Sequence, residues 1–186
     1  EGQSLGVYGS GGEARKTIWS TEEDFDAEVF FAKNKGKELK AMVDSCRDAG
    51  CYRCIIYPNE AEAVPKDTYL HIPIFMAGGT VDSFRRDKDG IEAADGPYAG
   101  EAKFFVEMRL LQREIKIRID AEDKMHNIYG SLLHPNGSMA HFLLKEGFAK
   151  VADWTARACP DVADLRAAEA SAKKLKKRKW KDFVAS

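Results

Sequence analysis

Four cysteines offer the first chemistry. Cys46, Cys51 and Cys54 stand in a C-x4-C-x2-C spacing, with Cys159 far behind them. That is the spacing of plant-type iron–sulfur ligands, and a zinc site is the other sharp reading. The surroundings argue against both. Cys54-Ile55-Ile56-Tyr57 is a β-branched and aromatic run that reads as strand. Positions 51 and 54 of one strand point to opposite faces, whereas ligands must converge on one point. The expectation is reduced, mostly buried thiols of an intracellular protein, with no metal and no cofactor. His71, His126, His134 and His141 show no metal-ligand spacing and read as surface or turn residues.

The second concentration of chemistry is basic. Lys173-Lys174-Leu175-Lys176-Lys177-Arg178-Lys179-Trp180-Lys181 carries seven positive charges in nine residues. Such a run is either a phosphate-tracking stripe or a solvated helix end, where cations also favour the C-terminal dipole. Arg85 and Arg86 in a polar stretch, and Lys116 and Arg118 in an alternating one, are further phosphate candidates.

These residues need a scaffold, and the hydrophobic pattern supplies one. Strands are expected over 39–46 and 51–57, joined by the turn Asp48-Ala49-Gly50, and over 68–76, where Leu70, Ile72, Ile74 and Met76 share a face. Pro73 has no N–H for a ladder, which suggests an edge or a bulge. Residues 77–96 read as a long exposed polar loop. Pro97 then suits a helix start, and Ala102, Phe105, Val106 and Leu110 fall on one helical face. Ile115, Ile117 and Ile119 are expected inward, with Lys116, Arg118 and Asp120 outward. A fifth strand over 128–134 leads to the turn Pro135-Asn136-Gly137. Ser138 can cap a helix that Gly147 ends. A last helix is expected over 161–179, burying Leu165, Ala168, Ala172 and Leu175. Three strands, a helix, two strands and two helices give an α+β fold: the five-stranded OB barrel with three helices.

The 186 residues, 44% hydrophobic and 32% charged, can bury such a core. Twenty-nine Lys and Arg against thirty Asp and Glu exclude a uniformly basic nucleic-acid binder. No apolar run approaches the ~20 residues of a membrane helix, so no membrane partner is expected. The chain begins at Glu1 and shows no signal peptide, as expected of a piece of a longer protein. Residues 10–38 have weak periodicity and an acidic run at 21–26, and read as a linker.

Several motifs carry a family resemblance. Glu101-Ala102-Lys103-Phe104-Phe105, Arg109-Leu110-Leu111-Gln112-Arg113, Leu144-Lys145-Glu146-Gly147-Phe148-Ala149-Lys150 and Leu165-Arg166-Ala167-Ala168-Glu169, with Ala172-Lys173-Lys174 and Trp180, resemble the staphylococcal-nuclease-like domain. His134-Pro135-Asn136-Gly137 and Val151-Ala152-Asp153-Trp154 are similar, more narrowly, to the second nuclease-like repeat of the Tudor staphylococcal nucleases, a family of multi-repeat eukaryotic proteins. The resemblance covers residues 39–184. It implies a domain over 39–186, with residues 1–9 similar to the tail of a preceding repeat and 10–38 linking the two.

The resemblance also implies a calcium-dependent nuclease fold and, for the intact proteins, RNA binding and cleavage within silencing and transcription complexes of the cytoplasm and nucleus. In the active fold, carboxylates hold calcium, two arginines grip the phosphate and a Glu activates water, as the chemistry requires. This chain departs at each place. The second Asp of the hairpin motif falls on Gly50, and the strand-three arginine on Phe75. The next metal ligand falls on Thr80, the base on Ser83 and the remaining arginine on Tyr129. A one-residue slip would bring Asp82 near the site.

The expected function is therefore a catalytically degenerate module that binds RNA weakly through phosphates, using Lys173, Lys174, Lys176, Lys177, Arg178, Lys179, Arg85 and Arg86. A protein-interaction scaffold repeat is the alternative, with Phe104 and Met108 lying off the buried stripe of their helix. A calcium-dependent RNA nuclease is the second alternative. Expected partners are RNA, neighbouring repeats of the same chain, and proteins of silencing or transcription complexes.

Overall fold

A computed structural model describes residues 16–186. The expected tail at 1–9 and the start of the linker lie outside the described residues. Five strands form the barrel: β2 (Glu38–Asp48), β3 (Cys51–Ile56), β4 (Thr68–Met76), β8 (Glu114–Glu122) and β9 (Ile128–His134). They run in the order β4-β3-β2-β8-β9, and a parallel pairing of Phe75 with Tyr129 and Met76 with Gly130 closes the ring. Alternation supplies the inner layer, with Leu39, Ala41, Val43, Leu70, Ile74, Ile117, Ile119 and Leu132 all buried. Gly130 stands at the closure because a Cβ there would lie 2.7 Å from the Arg118 carbonyl oxygen. Pro73 falls in the gap on that edge of β4, between the residues that other strands pair, where its missing N–H costs nothing.

Helix α2 (Ala99–Leu110) plugs the barrel with Ala102, Val106 and Leu110. Helix α3 (Met139–Lys145) starts where the Ser138 hydroxyl accepts the His141 N–H at 3.2 Å. It ends in a Schellman turn, with Phe148 N–H on Leu143 O and Gly147 at φ +77°. The short helix α4 (Asp153–Ala156) and α5 (Val162–Lys174) complete the helical layer.

Five regions differ from the sequence expectation. The stretch read as linker carries β1 (Lys16–Trp19), parallel to β4, and α1 (Ala27–Asn34), which buries Phe30 and Asn34. The 77–96 stretch read as a loop holds β5 (Gly79–Val81), paired with β11 (Ala149–Val151), and a hairpin of β6 (Phe84–Arg86) and β7 (Glu92–Ala94). The two-residue strand β10 (Gly137–Ser138) extends β9.

Arg118 and Asp120, outward by the alternation of the sequence, are buried. A bulge between Ile119 and Ala121 and the start of α5 cover that face. The last helix stops at Lys174, not 179, and Leu175 is 62% exposed rather than buried. Lys176 takes φ +50°, with Lys177 N–H on Ala172 O and Lys176 N–H on Lys173 O. This is a second Schellman turn, with lysine in glycine's place. The chain then closes as a 3-10 turn, Arg178–Trp180.

Candidate functional site

Strand register brings Gly50, Phe75 and Tyr129 to one end of the barrel. Cys51 pairs with Phe75, Phe75 pairs with Tyr129, and Met76 N–H donates to Gly50 O at 2.9 Å. Asp48 shapes the hairpin turn by accepting the Gly50 N–H at 2.7 Å and the Arg47 Nε–H at 3.1 Å. That turn carries the Arg47 guanidinium to 5.7 Å from the Phe75 ring. The Phe75 and Tyr129 rings lie 5.4 Å apart, and Trp154 meets Tyr129 edge-on at 4.8 Å. Trp154 is held over the site because α4 is tied to the end of β4: Gly78 N–H donates to Thr155 Oγ1 at 2.9 Å and Ala152 N–H to Gly78 O at 3.1 Å. Trp154 stays 49% exposed. The Tyr129 hydroxyl donates to Asp123 at 3.3 Å, and burial, then Asp123, pushes its pKa above the ordinary phenol value.

The other aligned positions are spoken for or solvated. Thr80 pairs with Lys150 in the β5–β11 ladder and is exposed. The Ser83 hydroxyl and N–H both donate to Asp95, which Arg85 also binds at 3.1 Å. Backbone donation from Ser83 is the main cause that holds the Asp95 carboxyl below its usual range. Asp82 is buried beneath Lys179 Nζ and accepts the Tyr98 N–H at 3.0 Å. At Gly50, a Cβ would lie 2.9 Å from Val81 Cγ2, so the space of a hairpin carboxylate is filled by an apolar methyl. Among the described residues no group of three or more His, Cys, Asp or Glu is placed to hold a metal ion.

The basic run does not present one charged stripe. Lys173 pairs with Glu169 at 2.9 Å and lies 4.6 Å from the Trp180 ring centre. Lys177 pairs with Glu146 at 3.5 Å, and Arg178 bridges Glu101 and Glu146 while stacking 4.0 Å over Phe148. Lys179 is committed to Asp82. Lys174 and Lys176 project to solvent with no partner among the described residues, as does Arg86. Arg118 is not a surface cation. Its guanidinium donates to Asp120 at 2.6 Å, Ser131 at 2.9 Å and Asp161 at 3.1 Å.

All four cysteines are free and buried. Burial pushes the Cys46 thiol up to about 12 and the Cys159 thiol to about 11, and raises Cys51 and Cys54 as well. Such thiols stay protonated and unreactive at neutral pH.

Sequence reasoning did not single out Arg47 or Trp154 as site residues. Trp154 belongs to the Val151-Ala152-Asp153-Trp154 motif, but nothing in its spacing places it beside residue 129.

Residues 79–182 match the family described as staphylococcal nuclease homologue. The chain belongs to that family. The staphylococcal nuclease homologue is 33% identical over 153 residues, 81% of its length, to Staphylococcal nuclease domain-containing protein 1 of Drosophila melanogaster, of which it covers 15%. It is 31% identical over 165 residues to the Schizosaccharomyces pombe protein of the same name (84% of this chain, 18% of that one). Ribonuclease TUDOR 1 of Arabidopsis thaliana is 27% identical over 202 residues, 86% of this chain and 20% of that protein. This nuclease homologue thus spans a fifth or less of the curated relatives it matches.

Proposed function

We propose that this chain is a nuclease-like module that has lost phosphodiester cleavage and binds single-stranded RNA. The observation that carries the reading is the ring cluster Phe75, Tyr129 and Trp154 beneath Arg47. Where the fold's active form places two phosphate-gripping arginines, this chain places two aromatic rings. Rings stack bases and do not stabilise a phosphorane. The residues present do not fit a calcium ion either. A hard cation takes several oxygen ligands, and here the aligned carboxylates are Gly50 and Thr80, while Asp82 is neutralised by Lys179. Phosphate contacts come from the unpaired cations Arg86, Lys174 and Lys176 rather than the whole basic run.

The name Ribonuclease TUDOR 1 of one relative, and the greater length of each relative, support a setting within a longer Tudor staphylococcal nuclease protein. There the module would act as the second repeat, in RNA-silencing and transcription complexes of the cytoplasm and nucleus. The scaffold reading draws on one observation. Phe104 and Met108 are 63% and 59% exposed on α2, an apolar pair suited to a neighbouring repeat or a protein partner.

The test uses a short labelled single-stranded RNA and millimolar calcium. The chain binds the RNA and leaves it uncut. Trp154→Ala weakens binding by about 1–3 kcal/mol, the worth of one stacked base. Cleavage that scales with pure protein and vanishes with chelator would sink the proposal, and so would the absence of any RNA binding.

A further inference from the structure

A cavity of about 260 Å³ opens on the outer face of β3 and β4, away from the ring cluster. Its lining includes Trp19, Asp44, Arg53, Cys54 and His71. The Trp19 indole stacks on the His71 ring at 4.0 Å with planes 28° apart, yet stays 42% exposed. One face is therefore seated and the other is free.

The indole is also held in place by its backbone. Trp19 pairs with His71 across the β1–β4 ladder, Ser20 N–H donates to His71 O at 2.9 Å, and Glu22 N–H to Trp19 O at 3.0 Å. A rigid ring loses little entropy when a second ring lands on it. Asp44 sits at the bulge where the β2–β3 register shifts between Val43 and Ser45, and Arg53 pairs with Ser45. Both side chains line the cavity, and neither has an ion-pair or hydrogen-bond partner among the described residues, not even the other.

We propose that this cavity is a nucleobase subsite for single-stranded RNA with a preference for guanine. The base stacks on the free face of Trp19. Asp44 accepts the two adjacent N–H donors that guanine alone presents on its Watson–Crick edge, and Arg53 takes the neighbouring phosphate. An unpaired carboxylate and an unpaired guanidinium beside one aromatic plate match a ligand with donors at one end and an anion at the other. The volume is below the roughly 300–1,000 Å³ of drug-sized pockets and suits one base. His71 lies beneath the platform, where burial lowers its pKa from the usual value against the raising effect of Asp44.

The inference rests on the RNA-binding reading above, and its test separates the two. The probes are a labelled all-uridine oligonucleotide and one carrying a single central guanosine, titrated by anisotropy with the whole chain. Guanosine strengthens binding by about tenfold, a typical value for one bidentate base contact. Trp19→Ala removes about tenfold, the worth of one stacked base. Asp44→Asn abolishes the preference for guanosine while keeping uridine affinity. Arg53→Gln lowers the salt slope by about 0.7. Trp19→Phe keeps most of the affinity and identifies the Trp19 indole resonance, which guanosine monophosphate shifts in the wild type.

If Trp154→Ala weakens binding and Trp19→Ala, still folded by circular dichroism, does not, the subsite is overturned and the RNA-binding reading stands. If no oligonucleotide binds at all, both fall. A Trp19 resonance moved by a short zwitterionic peptide and not by guanosine monophosphate would assign the cavity to polypeptide and overturn the proposal.

Discussion

Replacing Arg118 with methionine should cost this protein much of its stability, and the loss should depend on pH. The Arg118 side chain is 11% exposed, and its guanidinium makes three charge-assisted hydrogen bonds, to Asp120, Ser131 and Asp161. Asp120 is buried, and its second oxygen accepts only the Ser131 hydroxyl at 2.6 Å and a weak Cys159 contact. Methionine fills the stem's volume and removes the charge. Breaking a buried pair from one side typically costs ~3–5 kcal/mol, because the remaining charge is uncompensated.

The pH sign follows from Asp120. Burial already raises its carboxyl above the usual value, against the lowering effect of Arg118 and Ser131. Without Arg118 it rises further. An acid whose folded pKa lies above its unfolded one keeps its stability below the unfolded value of about 3.9 and loses it as pH climbs through the folded value. Arg118→Met should therefore lie nearer the wild type at about pH 4.5 than at pH 7.5. With a urea slope of about 2 kcal/mol/M, the midpoint at pH 7.5 drops by about 1.5–2.5 M. Far-UV circular dichroism across a urea series reads this directly, and Arg118→Met with Asp120→Leu should recover most of the loss. A drop below about 0.5 M, or an equal drop at both pH values, would refute the claim that this network is a desolvated charge cluster.

Two further outcomes are expected. The Cys46 and Cys159 thiols titrate near 12 and 11 in the fold and near 8.5 when unfolded. Stability should hold below about pH 8.5 and then fall by about 1.4 kcal/mol per pH unit for each thiol, as followed by urea midpoints from pH 8 to 10.5; a flat profile would contradict their burial. The lysines of the basic run should split into two classes. Lys174→Glu with Lys176→Glu flattens the salt dependence of RNA binding and leaves the melting temperature within about 2 °C, whereas Lys173→Glu lowers it by several degrees, because Lys173 sits between Glu169 and the Trp180 and Phe183 rings.

How much of this was legible depended on which layer set each residue. The strands β4 and β8 announce themselves through the alternation of Leu70, Ile72, Ile74 and Met76 and of Ile115, Ile117 and Ile119, and α3 through Ser138 and Gly147. Strand β1 was not legible, because four residues become a strand only by lying on the edge of β4. Arg118 and Asp120 look like an outward face as long as one layer is considered, and only the start of α5 buries them. The two Schellman turns make the contrast plain: Gly147 advertises its left-handed conformation, while Lys176 adopts the same one unannounced. At the ring cluster, the alignment of motifs named Gly50, Phe75 and Tyr129, and the register brought them together. Trp154 arrives from 25 residues downstream of Tyr129 on a four-residue helix, and no local pattern encodes that meeting.

The salt bridge between Asp82 and Lys179 has a consequence for how the protein is made. The two residues are 97 positions apart. At ~5–20 residues per second, a ribosome needs roughly 5–20 s to travel from one to the other. Throughout that interval β2, β3 and β4 are already synthesised, but Asp82 has no counterion. Gly147, Glu101 and Glu146 likewise await the same closing turn. The barrel strands are complete at His134, yet Asp82, Glu101 and Glu146 stay unpaired on the nascent chain until Arg178 and Lys179 emerge.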